Sequence, residues 1–231
     1  MNKLFFLYKS ESPLNIIFIF LISKIKNIFY KRKIISLKRK HQSFILTKKI
    51  TNDYFSSHAF NFFFFLKKLK ANFTFLEIGS YEGNSAIFVA NYFKNSEIYC
   101  IDNWHKTEEY INHKDFSEIE NNFDHNVNDC SNIKKIKLSS DNFFKNNTKQ
   151  FDVIYVDGYH YGPQVQKDCE NAWKFLKKNG YLICDDYIWD FYKNIKKNPC
   201  FAINQFLFKI KGSFKVEKVS NSQIFIRKIN E

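Results

Sequence analysis

The chain has 231 residues, 45% of them hydrophobic, enough to bury one ordinary core and too few for several domains. Its formal charge of +13 is lopsided: residues 1 to 50 hold twelve Lys or Arg against one acid, Glu11, so they carry +11 and leave +2 on the remaining 181. A body so nearly neutral gives no support to nucleic-acid binding. The five cysteines show no CxxC pair or metal-finger spacing; two sit inside apolar strands, which points to reduced core thiols and a reducing compartment, the cytoplasm.

Residues 1–50 form a basic, apolar N-terminal extension ahead of a domain over 51–231. The run PLNIIFIFLIS (Pro13 to Ser23) has eleven residues, short of the ~20 that span a bilayer, and no small-residue cleavage site follows it. Two readings stay open. One is an interfacial helix, peripheral to the inner face of the membrane, with Lys24, Lys26, Lys31, Arg32 and Lys33 drawn to anionic lipid. The other is a basic helical extension packed on the domain or on a second copy of the chain, a homo-oligomer. NFFFFLKKLKAN, between Thr51 and Lys70, reads as a short helix or strand of buried aromatics.

From Phe73 strands and helices alternate. FTFLEIG is a buried strand, followed by a helix from Asn84 to Lys94 with Ala86, Ile87, Ala90 and Phe93 on one face. EIYCIDN (Glu97 to Asn103) is a second strand. In the polar stretch after it, Phe116, Ile119, Phe123 and Val127 are spaced as a helix stripe. IKKIKLSS (Ile133 to Ser140) is a third strand and FDVIYVDG (Phe151 to Gly158) a fourth. Pro163 opens a helix whose buried face is Val165, Cys169, Ala172, Trp173 and Leu176. Lys174, Lys177 and Lys178 crowd its last turn, and Asn179-Gly180 gives a left-handed stop. YLICDDY (Tyr181 to Tyr187) is the fifth strand. A helical pattern from Ala202 to Ile210 and the pair FKVEKVS and QIFIRKI, turned at Ser220-Asn221, close the chain. Five β/α units ending in an antiparallel hairpin predict an α/β fold, a doubly wound and mostly parallel Rossmann-like sheet.

Ligands of open α/β sheets bind where strands end, so Glu77, Gly79, Asp157 and His160 are expected to face one crevice. Glu77-x-Gly79-x-x-x-Gly83 is a strand-to-helix turn in which glycines let a ligand approach the backbone, but it lacks the third glycine of the dinucleotide fingerprint. Glu77 and Glu82 flank the helix start, which disfavours a pyrophosphate and tolerates a ligand bearing a positive centre. Both points count against a nicotinamide-dependent oxidoreductase. Asp102 ends the second strand, about 20 residues beyond the turn, the position from which a carboxylate accepts bonds from ribose hydroxyls. Trp104 can cover an adenine or fill a rim. Asp157, Asp185 and Asp186 end neighbouring strands; their mutual repulsion calls for protons, cations or a metal, and hard oxygen ligands suit Mg²⁺. His160 can take a proton from a substrate hydroxyl or hold Asp157. His105, His113 and His125 have no partner that the sequence identifies.

With FLEIGSYEGNSA, IYCIDNW, FDVIYVDGYHYGPQVQKD and GYLICDDY in this order, the chain resembles class I S-adenosylmethionine-dependent methyltransferases from Phe73 to Ile229. The DG-x-H-Y loop followed by DDY is similar to the bacterial branch with sugar O-methyltransferases and, more distantly, catechol-type enzymes. The resemblance implies S-adenosylmethionine as methyl donor, held by Glu77, Gly79, Ser80, Gly83, Asp102, Trp104 and Ser140. It further implies a metal, Mg²⁺, at Asp157, Asp185 and Asp186, with His160 and Asp157 catalytic. The acceptor it implies is a small hydroxylated molecule such as a sugar or glycan precursor. Leu138 stands where many relatives have glycine. Trp104 to Asp115 and Ile188 to Cys200 are the expected lid segments. A third reading is a non-catalytic membrane-surface binding protein on this scaffold, to which three clustered carboxylates would be of no use.

Overall fold

The computed structural model describes residues 2–105 and 116–230. In chain order these form α1 (Lys3–Lys9), α2 (Leu14–Phe29), α3 (Lys31–Ile45), α4 (Ala59–Leu66), β1 (Thr74–Ile78), α5 (Asn84–Tyr92), β2 (Glu97–Asp102), α6 (Phe116–Val127), β3 (Ile133–Lys137), α7 (Ser140–Asn146), β4 (Phe151–Val156), α8 (Gly162–Phe175), β5 (Leu176–Cys184), α9 (Pro199–Lys209), β6 (Phe214–Val219) and β7 (Ile224–Lys228). The strand order is β3-β2-β1-β4-β5-β7-β6. Pairing is parallel within β1, β2 and β3 and between β4 and β5, and antiparallel from β5 through β7 to β6. The expected doubly wound sheet with its closing hairpin is the fold.

The chain divides into two compact units, Phe29–Phe143 and a second made from both ends, Met1–Ile28 with Phe144–Glu231. In the first, β1 and β2 bury Phe75, Leu76, Ile78, Ile98, Cys100 and Ile101, the continuous apolar runs expected of strands covered on both faces. The stripe Ile119 and Phe123 of α6 is buried as its period requires. NFFFFL is helical, and Phe62 and Phe65 are among its buried rings.

In the second unit, α1 and α2 bury Phe6, Leu7, Ile16 and Phe20. The expected apolar run is longer as a helix than as a composition, since α2 continues through KIKNIF to Phe29. Asn204 of α9 pins the stretch between α1 and α2: its Nδ2 donates to Ser10 O and to Ser12 Oγ, both at 2.9 Å. Its Oδ1 accepts from the Tyr187 hydroxyl at 2.7 Å.

The end of α8 departs from expectation. Only Lys174 lies in its last turn; the helix stops at Phe175, and Lys177, Lys178, Asn179 and Gly180 belong to β5. There they form a bulge, for Phe151 of β4 faces Leu176 while Val153 faces Tyr181. Asn179 is left-handed, at φ +65°, but inside the strand. The cause is the buried ammonium of Lys228 in β7, which donates to the carbonyls of Trp173 (3.0 Å) and Leu176 (2.9 Å). A cation on the last carbonyls satisfies the helix end without a glycine cap.

Candidate active site

In the Phe29–Phe143 unit the turn after β1 is built from left-handed residues: Gly79 at φ +86°, Tyr81 at +48° and Gly83 at +80°, with Trp104 at +48° after β2. A cluster of such conformations persists only where its surroundings fix it. Asp102 does the fixing. One carboxylate oxygen accepts from the amides of Ser80 (3.0 Å) and Tyr81 (2.9 Å), the other from the Trp104 amide (2.8 Å). A buried carboxylate at a strand end is the acceptor type that ribose hydroxyls require, although the Asn103 amide engages it as well. Burial pushes the Asp102 acid up, against the pull of those amides.

Trp104 is buried, tilted on Phe123 at 5.0 Å between ring centres, and its Nε1 donates to Tyr81 O at 2.9 Å. It braces the turn. Glu77 is wholly buried; its carboxylate accepts from the Ser85 hydroxyl and faces the Cys100 thiol at 3.6 Å. Burial drives its pKa to about 7, the hydroxyl and thiol partners opposing. Gly83 caps α5, and a Cβ there would stand 3.0 Å from Phe123 and 3.3 Å from Val127. Ser80 is buried in the turn, and Ser140 opens α7.

Glu82, expected only as a flanking charge, is a tie. Its carboxylate accepts from Thr51 N (2.7 Å), Thr51 Oγ1 (2.9 Å) and Asn122 Nδ2 (3.0 Å). Asn126 reaches the same turn, donating to the carbonyls of Glu82 and Lys49 at 2.9 Å. Partners 31 and 40 residues from Glu82 leave no local sequence signal. Residues 106–115, with His113 and most of the first expected lid, lie outside the described residues.

In the unit made from the chain ends, His160 Nε2 lies 2.8 Å from Asp186 Oδ2 and 3.6 Å from Asp157 Oδ1. One ligand atom from each of these three residues falls within 4.8 Å of the others. Two carboxylates and an imidazole fit a divalent cation, with oxygen donors for Mg²⁺ or Mn²⁺ and a nitrogen that widens the choice. Asp185 stands apart from this set: it accepts from the Tyr155 hydroxyl, from Gln223 Nε2 at 2.8 Å and from the Asp186 amide at 2.8 Å. The Tyr155 oxygen is also 2.8 Å from Asp157 Oδ2. One hydroxyl proton between two carboxylates cannot serve both at once. Burial, and then the charge of Asp185, hold Asp157 well above the usual carboxylate range, while His160 pulls it down. Tyr155 and Gln223 are the residues that sequence reasoning misses; Gln223 sits 68 residues from Tyr155.

The second expected lid segment carries an aromatic group. Trp189 lies 5.0 Å from His160 and stacks on Phe191 at 4.7 Å with the rings parallel. Asn198 holds this loop, accepting from the amides of Phe191 (3.1 Å) and Tyr192 (2.9 Å) and donating to Tyr192 O (2.8 Å).

Residues 76–187 match the family model described as "Methyltransferase domain". No curated protein matches the sequence. Among solved structures, a proposed caffeoyl-CoA O-methyltransferase from Staphylococcus aureus superposes with a TM-score of 0.58 at 16% identity, covering 90% of this chain and 99% of that one. An O-methyltransferase from Bacillus cereus, in complex with SAH, gives 0.55 at 12% identity over 92% and 99%. The MycE methyltransferase of the mycinamycin pathway, in complex with Mg, SAH and mycinamycin VI, gives 0.57 at 14% identity over 84% and 55%. These likenesses carry the fold.

Proposed function

We propose, from the premise that the chain belongs to the class I S-adenosylmethionine-dependent methyltransferases, that it methylates a hydroxyl oxygen of a small acceptor such as a sugar. The observation that carries the oxygen acceptor is the group Asp157, His160 and Asp186, with 2.8 Å between imidazole and carboxylate. The sulfonium of the donor supplies a methyl group already activated, so the protein has to align an oxygen and receive its proton. The acceptor oxygen attacks the methyl carbon in line, the carbon–sulfur bond breaks, and the sulfur leaves as a neutral thioether. The hydroxyl proton passes to Asp157, which burial and the charge of Asp185 make more basic than an ordinary carboxylate. The His160 imidazole, with Nε2 2.8 Å from Asp186 and 3.6 Å from Asp157, stands between the two carboxylates around that oxygen.

A divalent cation bound by Asp157, His160 and Asp186 would supply Lewis-acid polarisation of the acceptor hydroxyl. The rings of Trp189 and Phe191 beside His160 suit the C–H face of a sugar, and this supports the acceptor class. Four of the five cysteines are buried, which suits reduced core thiols and supports a reducing compartment, the cytoplasm. Among the described residues no helix is long and apolar enough to cross a membrane.

The test is calorimetric titration with S-adenosylhomocysteine, with and without Mg²⁺, followed by methyl transfer to a panel of sugar hydroxyls. Asp102→Ala is expected to abolish cofactor binding. Asp157→Asn is expected to keep it and to lose roughly 10²–10⁴ in turnover. Full turnover by Asp157→Asn would remove the proton-acceptor role, and no cofactor binding by the folded parent would remove the reading.

A further inference from the structure

Helix α2 is apolar on two faces. Ile16 and Phe20 point into their unit and are at most 1% exposed, whereas Leu14 is 82%, Phe18 63% and Ile28 72% exposed, with Leu21 and Ile25 also open. The open residues recur at intervals of four, three, four and three, a continuous stripe along the helix. Phe5 and Tyr8 of α1 are exposed as well. An apolar stripe of this length on a monomer's surface marks an interaction face.

The charges beside it have one sign. Lys9, Lys24 and Lys26 are exposed, and the single acid of residues 1–28, Glu11, accepts from Gln205. Lys218 of β6 reaches α2, its ammonium 3.0 Å from Asn27 Oδ1. Burial and then the charge of Lys26 lower Lys218 to about 8, and burial and then Lys24 lower Lys3, so these cations crowd one another. A second copy of the chain would bring a like set of lysines onto this face, which costs rather than gains energy. An anionic surface relieves the crowding and takes up the stripe.

We propose that the outer face of α2 rests in the headgroup region of an anionic lipid bilayer, with Phe18, Leu21 and Ile25 inserted and Lys24 and Lys26 on lipid phosphates. Neither half of this contact requires the helix to span: apolar area and lysine charge add, at about 1 kcal/mol for each lysine near the surface. The proposal is independent of the reaction given above.

The full chain is floated with vesicles of phosphatidylcholine alone and with one third phosphatidylglycerol, at low and high salt. Binding to the anionic vesicles that weakens with salt is expected. Phe18→Ser with Ile25→Ser, and separately Lys24→Gln with Lys26→Gln, are each expected to weaken it by about tenfold or more. All four side chains are exposed, so an unchanged melting curve verifies the fold. Absence of binding by the folded parent, or parental binding by both variants, overturns the proposal. So does a dimer in solution that Phe18→Ser with Ile25→Ser converts to monomer, because a second copy then covers the stripe.

Discussion

Glu77 is an acid whose burial raises its pKa to about 7. In the unfolded chain it titrates near 4.5, in the fold at about 7. Below the lower value both states are protonated and burial is harmless. As pH rises from 4.5 toward 7 the unfolded state ionises first, so the folded state loses roughly 3 kcal/mol relative to it. Glu77→Gln removes this titration. Its stability relative to the parent is expected to improve by up to about 3 kcal/mol between about pH 4.5 and 8, read from denaturant midpoints. A difference that stays constant with pH would show that Glu77 ionises freely. The sequence places this residue at a strand end and invites a ligand role. Its burial under Ser85 and beside Cys100, its partner across the sheet, is what sets its protonation.

Gly83 shows what an element asks of one position. At φ +80°, with Phe123 3.0 Å from the place of a Cβ, it lets α5 start against α6. Gly83→Ala is expected to cost about 1–3 kcal/mol and to weaken cofactor binding by disturbing the turn. Gly212, also left-handed at +89° but with nothing within 4 Å, supplies the control. Gly212→Ala should cost only the backbone part, and equal losses at both sites would remove the packing argument. Strands and helices were legible because their apolar periods are local: Phe116, Ile119, Phe123 and Val127 announce α6 with no knowledge of its neighbours. The end of α8 was not, since its cap is Lys228, 52 residues beyond Leu176. The acidic site was half legible in the same way. The aspartates stand out in the sequence, but Tyr155 and Gln223, which hold Asp185, arrive from β4 and from the turn before β7.

The unit that carries the acidic site is assembled from both ends of the chain. Burial of Phe6, Leu7, Ile16 and Phe20 contributes a gross ~6–12 kcal/mol at about 1.5–3 per side chain. That is comparable with the whole stability of a typical domain, about 5–15 kcal/mol. A chain lacking residues 2–28 is therefore expected to lose cooperative melting of this unit and to collect in the insoluble fraction, by circular dichroism and soluble yield. A soluble truncation melting within a few degrees of the parent would show these helices to be dispensable. Ser10 and Ser12 wait for Asn204, which lies 194 and 192 residues further along the chain. At roughly 5–20 residues per second of synthesis, those serines leave the ribosome about ten to forty seconds before their partner exists. Throughout that interval the nascent chain offers the inner face of α2, as well as the outer one, to whatever chaperone or lipid it meets first.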